Sequence, residues 1–359
     1  MKTAIIAALF LLLLLVGSAC KPSVGPPISL IGGPSILAVK SMPAEVDPQG
    51  VSFPASTVAY EALAVDLSGR VPGPNADITS PLLWATCVQP KPPTDTNSVS
   101  SDCLDETKLP GMPGDSPTTY TVDAPSDACS LFGPTTPPVQ PSISPRAADV
   151  TGGYYLPIRV ELLVPDNLRR GDTPNSIVGF QLQRIQCGLA EAPGWAIRQY
   201  NATYTLNNNP VISSLTLQQP GSGPVFVPQS GAAGTPSSVV NGQTISLTAT
   251  WPADSVEIYP VWDVINLVLV KHTEAMRVSW YATGGSFEHD TTGVGGTETG
   301  TFSTDDNTWK PTATGTTAPQ TFTDNTWKPD ASGLVHMWLV LHDSRGGTDF
   351  AAYDFTVTP

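Results

Sequence analysis

From residue 156 to residue 164 every second side chain is large and aliphatic: Leu156, Ile158, Val160, Leu162 and Val164. Arg159 and Glu161 take the opposite parity. A period of two turns one set to a core and the other to solvent, which is the signature of a half-buried β-strand. The pattern recurs in Ile245, Leu247, Ala249 and Trp251, in Met276, Val278, Trp280 and Ala282, and in Val335, Met337, Leu339 and Leu341. Ala351, Tyr353, Phe355 and Val357 repeat it once more near the end. No amphipathic helical pattern longer than two turns accompanies these strands. Pro (37) and Gly (31) make up near a fifth of the chain, below the share at which low-complexity disorder becomes the default. Together these features predict an all-β chain with long turns.

Shorter runs at residues 36–42, 57–65, 82–87 and 211–217 read as further strands. In residues 177–187, Val178, Phe180 and Leu182 share one face while Ile185 and Cys187 fall on the other, so a bulge is expected near Arg184. Residues 197–206 read as the last strand of a first domain. Residues 264–270 are a continuous β-branched run, expected as a strand with a short buried helix as the alternative. Asn207, Asn208, Asn209 and Pro210 are turn chemistry, and the boundary between two domains, 35–208 and 209–359, is placed there.

The first twenty residues carry an address. Lys2 is a short basic region, residues 4–16 are uninterruptedly apolar, and Gly17, Ser18 and Ala19 lead to Cys20. Residues 1–19 read as a signal peptide, too short for a comfortable membrane span of ~20 residues. The run Val16, Gly17, Ser18, Ala19, Cys20 resembles a bacterial lipoprotein signal, although the aliphatic residue stands one place further from the cysteine than is usual. The resemblance implies acylation of Cys20, a membrane partner through that anchor and, with Lys21 following, sorting to the outer membrane. An ordinary signal cut near Ala19, or an uncleaved anchor, are the alternatives. Residues 20–34 are then the lipidated cysteine and a flexible tether.

With Cys20 set aside, Cys87, Cys103, Cys129 and Cys187 remain, an even number in an exported chain. Two disulfides follow, with three connectivities open. Residues 88–151 form an irregular stretch too long for an ordinary loop, and crosslinks are a sufficient reason for it. Cys87–Cys103 and Cys129–Cys187 are the expected pairs: the first closes a short loop, the second staples the irregular segment to the strand ending at Cys187.

Arg277, Val278, Ser279, Trp280, Tyr281, Ala282, Thr283, Gly284 and Gly285 resemble the mid-domain strand of bacterial immunoglobulin-like and PKD-like modules, which place a core Trp there. Leu339 to Gly347, followed by an alternating strand, is similar to their closing hairpin. Residues 82–87 with 155–164 are a weaker echo in the first half. The resemblance is to lipid-anchored envelope proteins of the delta-proteobacterial type. It implies two tandem antiparallel Ig-like β-sandwiches with a structural or protein-interaction role and no catalysis.

The chemistry sought elsewhere is sparse. No GxSxG, HExxH, P-loop or GxGxxG motif occurs. No cofactor and no metal are expected. His336 and His342 would share a strand face, with Asp343 or the run Glu288, His289, Asp290 as conceivable co-ligands, but half-exposed surface positions explain them better. Asp305, Asp306, Asn307, Asp324 and Asn325 lack calcium-loop spacing. Glu45 and Asp47 read as scattered acids. A net charge of −14 without a basic cluster disfavours nucleic acid. Binding of a glycan or surface polymer is the second functional reading, and an envelope hydrolase or its accessory subunit a distant third.

One internal repeat stands out. Thr301, Phe302, Ser303, Thr304, Asp305, Asp306, Asn307, Thr308, Trp309, Lys310 and Pro311 recur as Thr321, Phe322, Thr323, Asp324, Asn325, Thr326, Trp327, Lys328 and Pro329. A tandem duplication within a loop accounts for two such copies, which are too few and too short for a solenoid. The second copy is expected to supply the native strand, with its Trp near the core, and the first to be extruded, leaving Trp309 partly exposed. Trp309 and Trp327 are the candidate binding residues, able to stack on a sugar ring or a partner surface. Deleting residues 302–320 should leave the fold intact, because loop length alters stability only weakly. A cooperative thermal transition within a few degrees of the parent checks this, and an unfolded product would make both copies structural.

Overall fold

The computed structural model describes residues 27–48, 57–72, 78–91, 98–134, 149–168, 175–231, 235–301 and 319–359. The signal segment, Cys20 and Trp309 lie outside the described residues.

The first half is a sandwich of two sheets. One contains β1 (Ser35–Met42), β3 (Thr57–Asp66), β4 (Gly69–Val71) and β7 (Thr119–Asp123), with β1, β4 and β7 all pairing with β3. The other runs β2-β9-β8-β5-β6, made of β2 (Glu45–Val46), β5 (Leu83–Thr86), β6 (Met112–Pro113), β8 (Gly153–Leu163) and β9 (Ser176–Gln186). Pro43 ends β1 and the chain crosses from the first sheet to the second at β2. Val58, Tyr60, Ala62 and Ala64 of β3 meet Leu156, Ile158, Val160 and Leu162 of β8 in one core that also holds Trp84.

The second half repeats the plan. Its first sheet runs β11-β10-β13-β20-β17, with β10 (Ser214–Gln218), β11 (Val225–Val227), β13 (Ile245–Thr250), β17 (Ser286–Phe287) and β20 (Phe322–Lys328). The facing sheet runs β12-β22-β21-β16-β18, with β12 (Ser237–Val240), β16 (Met276–Ala282), β18 (Thr291–Val294), β21 (Gly333–His342) and β22 (Thr348–Thr358). All alternating positions named above in β13, β16, β21 and β22 are buried in the shared core. The fold is all-β, two antiparallel-rich sandwiches in tandem. A small sheet of β14 (Ile258–Asp263), β15 (Val268–Thr273) and β19 (Thr297–Thr301) is added to the second.

Several local expectations are corrected. Residues 197–206 are not a strand. The described residues include three α-helices, α1 (Ser101–Leu104), α2 (Ala128–Phe132) and α3 (Gly194–Thr203), and the last covers most of that segment. The signal was Ala196 and Tyr200, four apart and both buried, one face of a helix. The strand expected over residues 264–270 is instead a turn and the start of β15. The Asp263 carboxylate accepts from the Ile265 and Asn266 amides (2.9 and 3.0 Å) and reverses the chain. β9 has no bulge: its register against β8 is regular from Ser176 to Gln186, and Val178, Phe180 and Leu182 face outward. Strand β8 is buried on both faces rather than one. The disulfide-bearing segment covers its outer side, where Arg159 donates to the carbonyls of Cys103 (3.0 Å) and Leu109 (2.6 Å).

The sandwiches meet over a second apolar patch. Ile31, Ala38, Leu63 and Val65 pack against Trp338 and Val340 on the outer face of β21. The expected tether is therefore bound from Pro27 onward: Leu30 bridges Ala282 in parallel, the Ile31 amide donates to the Ala282 carbonyl (2.9 Å), and Ile31 is buried. An apolar Ile31 is better placed in this seam than in water.

Cys87 is bonded to Cys103 and Cys129 to Cys187, with Cα separations of 5.7 and 5.5 Å. The bonds span 16 and 58 residues. Loop-closure entropy then assigns about 3 kcal/mol to the first and about 4 kcal/mol to the second. Removing Cys129–Cys187 by paired Ser substitution should lower the denaturation midpoint further than removing Cys87–Cys103. Chemical denaturation of the two double variants checks the ranking.

Candidate functional site: a buried ionic junction

The densest group of charged side chains lies where the sandwiches join. Glu45, in the two-residue β2, is fully buried. It accepts from Arg184 Nε (2.9 Å), from the Tyr204 hydroxyl on both oxygens (2.9 and 2.7 Å) and from the Asn207 amide (2.9 Å). Arg184 also donates to the Thr151 hydroxyl (2.8 Å) and carbonyl (3.2 Å).

From the second sandwich comes Arg345, 1% exposed, in the turn between β21 and β22. Its Nε donates to Glu274 (2.7 Å), its Nη2 to Glu257, and its Nη1 to the Thr205 carbonyl (3.1 Å) and the Tyr204 hydroxyl (3.3 Å). The guanidinium lies over Tyr259, 4.7 Å from the ring centre. Asp343 closes the turn. One oxygen accepts from the amides of Arg345 and Gly347 (2.8 Å each), the other from Asn207 Nδ2 (3.0 Å). Tyr204 thus carries Glu45 on one side and Arg345 on the other.

The linker is fixed from both ends. Asn209 donates to the Ser41 carbonyl (2.6 Å) and accepts from the Thr348 amide (2.8 Å), and Asn208 donates to Glu257 (2.6 Å). Two glycines permit this packing. A Cβ on Gly153 would overlap the Arg184 guanidinium, and one on Gly347 would overlap the Asp343 carboxylate.

Two guanidinium groups thus face four carboxylates, Glu45, Glu257, Glu274 and Asp343. Burial, with Asp343 next in weight, raises Glu274 to about 8, against the pull of Arg345. Burial also pushes Asp343 above the usual carboxylate range. The carboxylates and guanidinium groups bond one another, while the buried Asn207 Oδ1 has no partner among the described residues.

The sequence-predicted positions fall elsewhere. Trp327 is fully buried in the second core, its Nε1 donating to the Gly284 carbonyl (3.1 Å), so it offers no face to a ligand; this corrects its candidacy as a binding residue. Its strand position, β20, opposite Ile245 on β13, requires that side chain in the core. His336 pairs with Asp354 (2.7 Å) and His342 Nδ1 with the Thr348 hydroxyl (3.0 Å), so each histidine has a different partner. Asp324 accepts from the Thr248 hydroxyl (2.6 Å) and Asn325 bonds the His289 backbone, both as strand residues. Glu45, Arg184 and Arg345 were missed. Their one sequence signal is a charge set among apolar strand neighbours, as in Leu182, Gln183, Arg184, Ile185.

No family model matches the chain, and no curated protein matches it. Among solved structures it is similar to the adhesin InvE of Yersinia pseudotuberculosis, at 12% identity over 90% of this chain and a TM-score of 0.20. The chain spans 58% of that structure. It is also similar to the fibronectin(III)-like modules of Clostridium thermocellum CbhA (9% identity, 92% of each chain, TM-score 0.19). A third is the D0-D1 domain of intimin (8%, 89% of this chain and 98% of that one, TM-score 0.20). Similarity at this level transfers no function.

Glu274 holds its proton more tightly in the folded chain than at its ordinary value of 4.5. Its contribution to stability is complete below that value and is lost as pH rises through about 8. Asp343 acts in the same direction. His342, which burial keeps neutral, acts oppositely and disfavours the fold only on acidification through its ordinary 6.5. The thermal midpoint should therefore fall as pH rises from about 4.5 to about 8, and Glu274→Gln should flatten that fall. Calorimetry across the range checks both.

Proposed function

We propose that this chain is a non-catalytic, lipid-anchored cell-envelope protein whose two sandwiches act as one structural or protein-interaction unit. The observation that carries the reading is the junction itself. Its charged side chains are buried where the sandwiches join and hydrogen-bond one another, which is the chemistry of a joint. Catalytic groups instead need reach to a reacting atom. A joint of this kind suits a protein that must present a fixed surface. The two disulfides agree with an oxidising compartment. No described helix is long and apolar enough to cross a membrane. In this reading the anchor is an acylated Cys20, with more than one acyl chain because a single chain attaches only marginally. Outer-membrane placement follows from Lys21.

The reading is tested by expressing the chain with Cys20→Ser in a bacterial host that processes lipoproteins. The protein should move from the membrane to the soluble fraction while the parent stays membrane-bound. Unchanged retention would remove the anchor from the proposal. Turnover in a broad hydrolase panel, abolished by one substitution, would remove the non-catalytic part.

A further inference from the structure

A cleft of about 700 Å³ opens beside the junction, between the outer faces of one sheet from each sandwich. That volume lies in the range of small-ligand sites. One wall is apolar and aromatic: Tyr155, Phe180 and Leu182 of β8 and β9. Tyr155 and Leu182 are each about two-fifths exposed. The facing wall carries Arg277, Ser279, Thr291, Thr348 and His342. Arg277 is exposed and makes no ion pair among the described residues. Asp343 also borders the cleft, but its oxygens are already taken by Asn207, Arg345 and Gly347. The unspent charge of the cleft is therefore a single guanidinium.

We infer that this cleft binds a carboxylate-bearing saccharide, a uronic-acid oligomer, through Arg277. A planar guanidinium matches a carboxylate in two parallel hydrogen bonds. The hydroxyls of Ser279 and Thr291 offer both donors and acceptors, which suits a ring edged with hydroxyls. Opposite them Tyr155 and Phe180 supply an apolar surface for the ring's C–H face. Burial keeps His342 neutral, and its Nδ1 is taken by Thr348, so it adds no competing charge.

An extended peptide fits this wall less well. Peptides dock on sheets by adding to a free edge. Here Arg277 is paired with both His342 and Gly293, and His342 with both Arg277 and Thr348. The part of the wall that carries Arg277 and His342 is the interior of a sheet, and Thr291 alone lies on its edge strand, β18. Recognition must run through side chains, as it does for a saccharide. The walls are also held in place before any ligand arrives, since Asp343 and Asn209 fix the turn at the cleft floor.

The inference does not depend on the lipid anchor. It is tested by calorimetric titration of the full chain with oligogalacturonate, a neutral malto-oligosaccharide of equal length and an Asp-rich peptide. Oligogalacturonate should bind, and raising salt from roughly 0.05 to 0.5 M should weaken it severalfold. Arg277→Gln, an exposed change, should weaken it by about tenfold. Leu182→Asp, which sets a negative charge on the opposite wall, should abolish it. Circular dichroism of both variants establishes that they fold. No oligogalacturonate binding, equal binding by Arg277→Gln, or tighter binding of the neutral sugar or the peptide would each overturn the inference.

Discussion

The structure depends on keeping two buried guanidinium groups neutralised. Arg345 and Arg184 lie within a few percent of complete burial. A charge removed from water is tolerable only while its partners are in place, and deleting one partner of a buried pair costs about 3–5 kcal/mol. Arg184 is held by Glu45 from the same sandwich, whereas Arg345 reaches Tyr204 and Thr205, which precede the linker. Separating the sandwiches would strip Arg345 of those two acceptors and of its 4.0 Å approach to Glu45, while each guanidinium keeps a carboxylate of its own sandwich. The apolar seam around Trp338 adds contact area, but apolar contact is non-directional and would tolerate sliding. The ionic set fixes the angle.

That division of labour also explains the outer face of β21. In a lone sandwich, His336, Trp338, Val340 and His342 would face water. Here Trp338 and Val340 are covered by the first sandwich, while His336 and His342 lie at its margins and bond to β22 side chains. The cleft begins where this cover ends. Its polar wall is the uncovered remainder of the same sheet, and its apolar wall is the uncovered outer face of β9.

What the sequence disclosed follows from range. Strands β8, β13, β16, β21 and β22 were legible because burial on one face imposes a local period of two. Helix α3 was not, since Ile197 and its neighbours form a run too short to separate the two periods, and only the Ala196–Tyr200 spacing marks the helix. The register of β9 was not legible because Val178, Phe180 and Leu182 are apolar yet lie on the outer face of the sheet, where Phe180 and Leu182 border the cleft. The junction was hidden for a different reason. Glu45 and Arg184 are 139 residues apart, and nothing near either one distinguishes a buried acid from a solvated one. The candidate Trp327 illustrates the converse: a conspicuous repeat drew attention to a side chain whose role is packing.

The docking of residues 28–31 on β16 changes how a pull would travel through the molecule. Domains strung in sequence receive tension one after another, the first nearest the attachment. In this chain tension from the N-terminal side meets the second sandwich at Ala282 before it has passed through the first. The parallel bridge and the buried Ile31 are loaded in shear, along the strand direction. The seam between the sandwiches is thus the mechanical entry point, and the first sandwich is shielded until that short strand lets go.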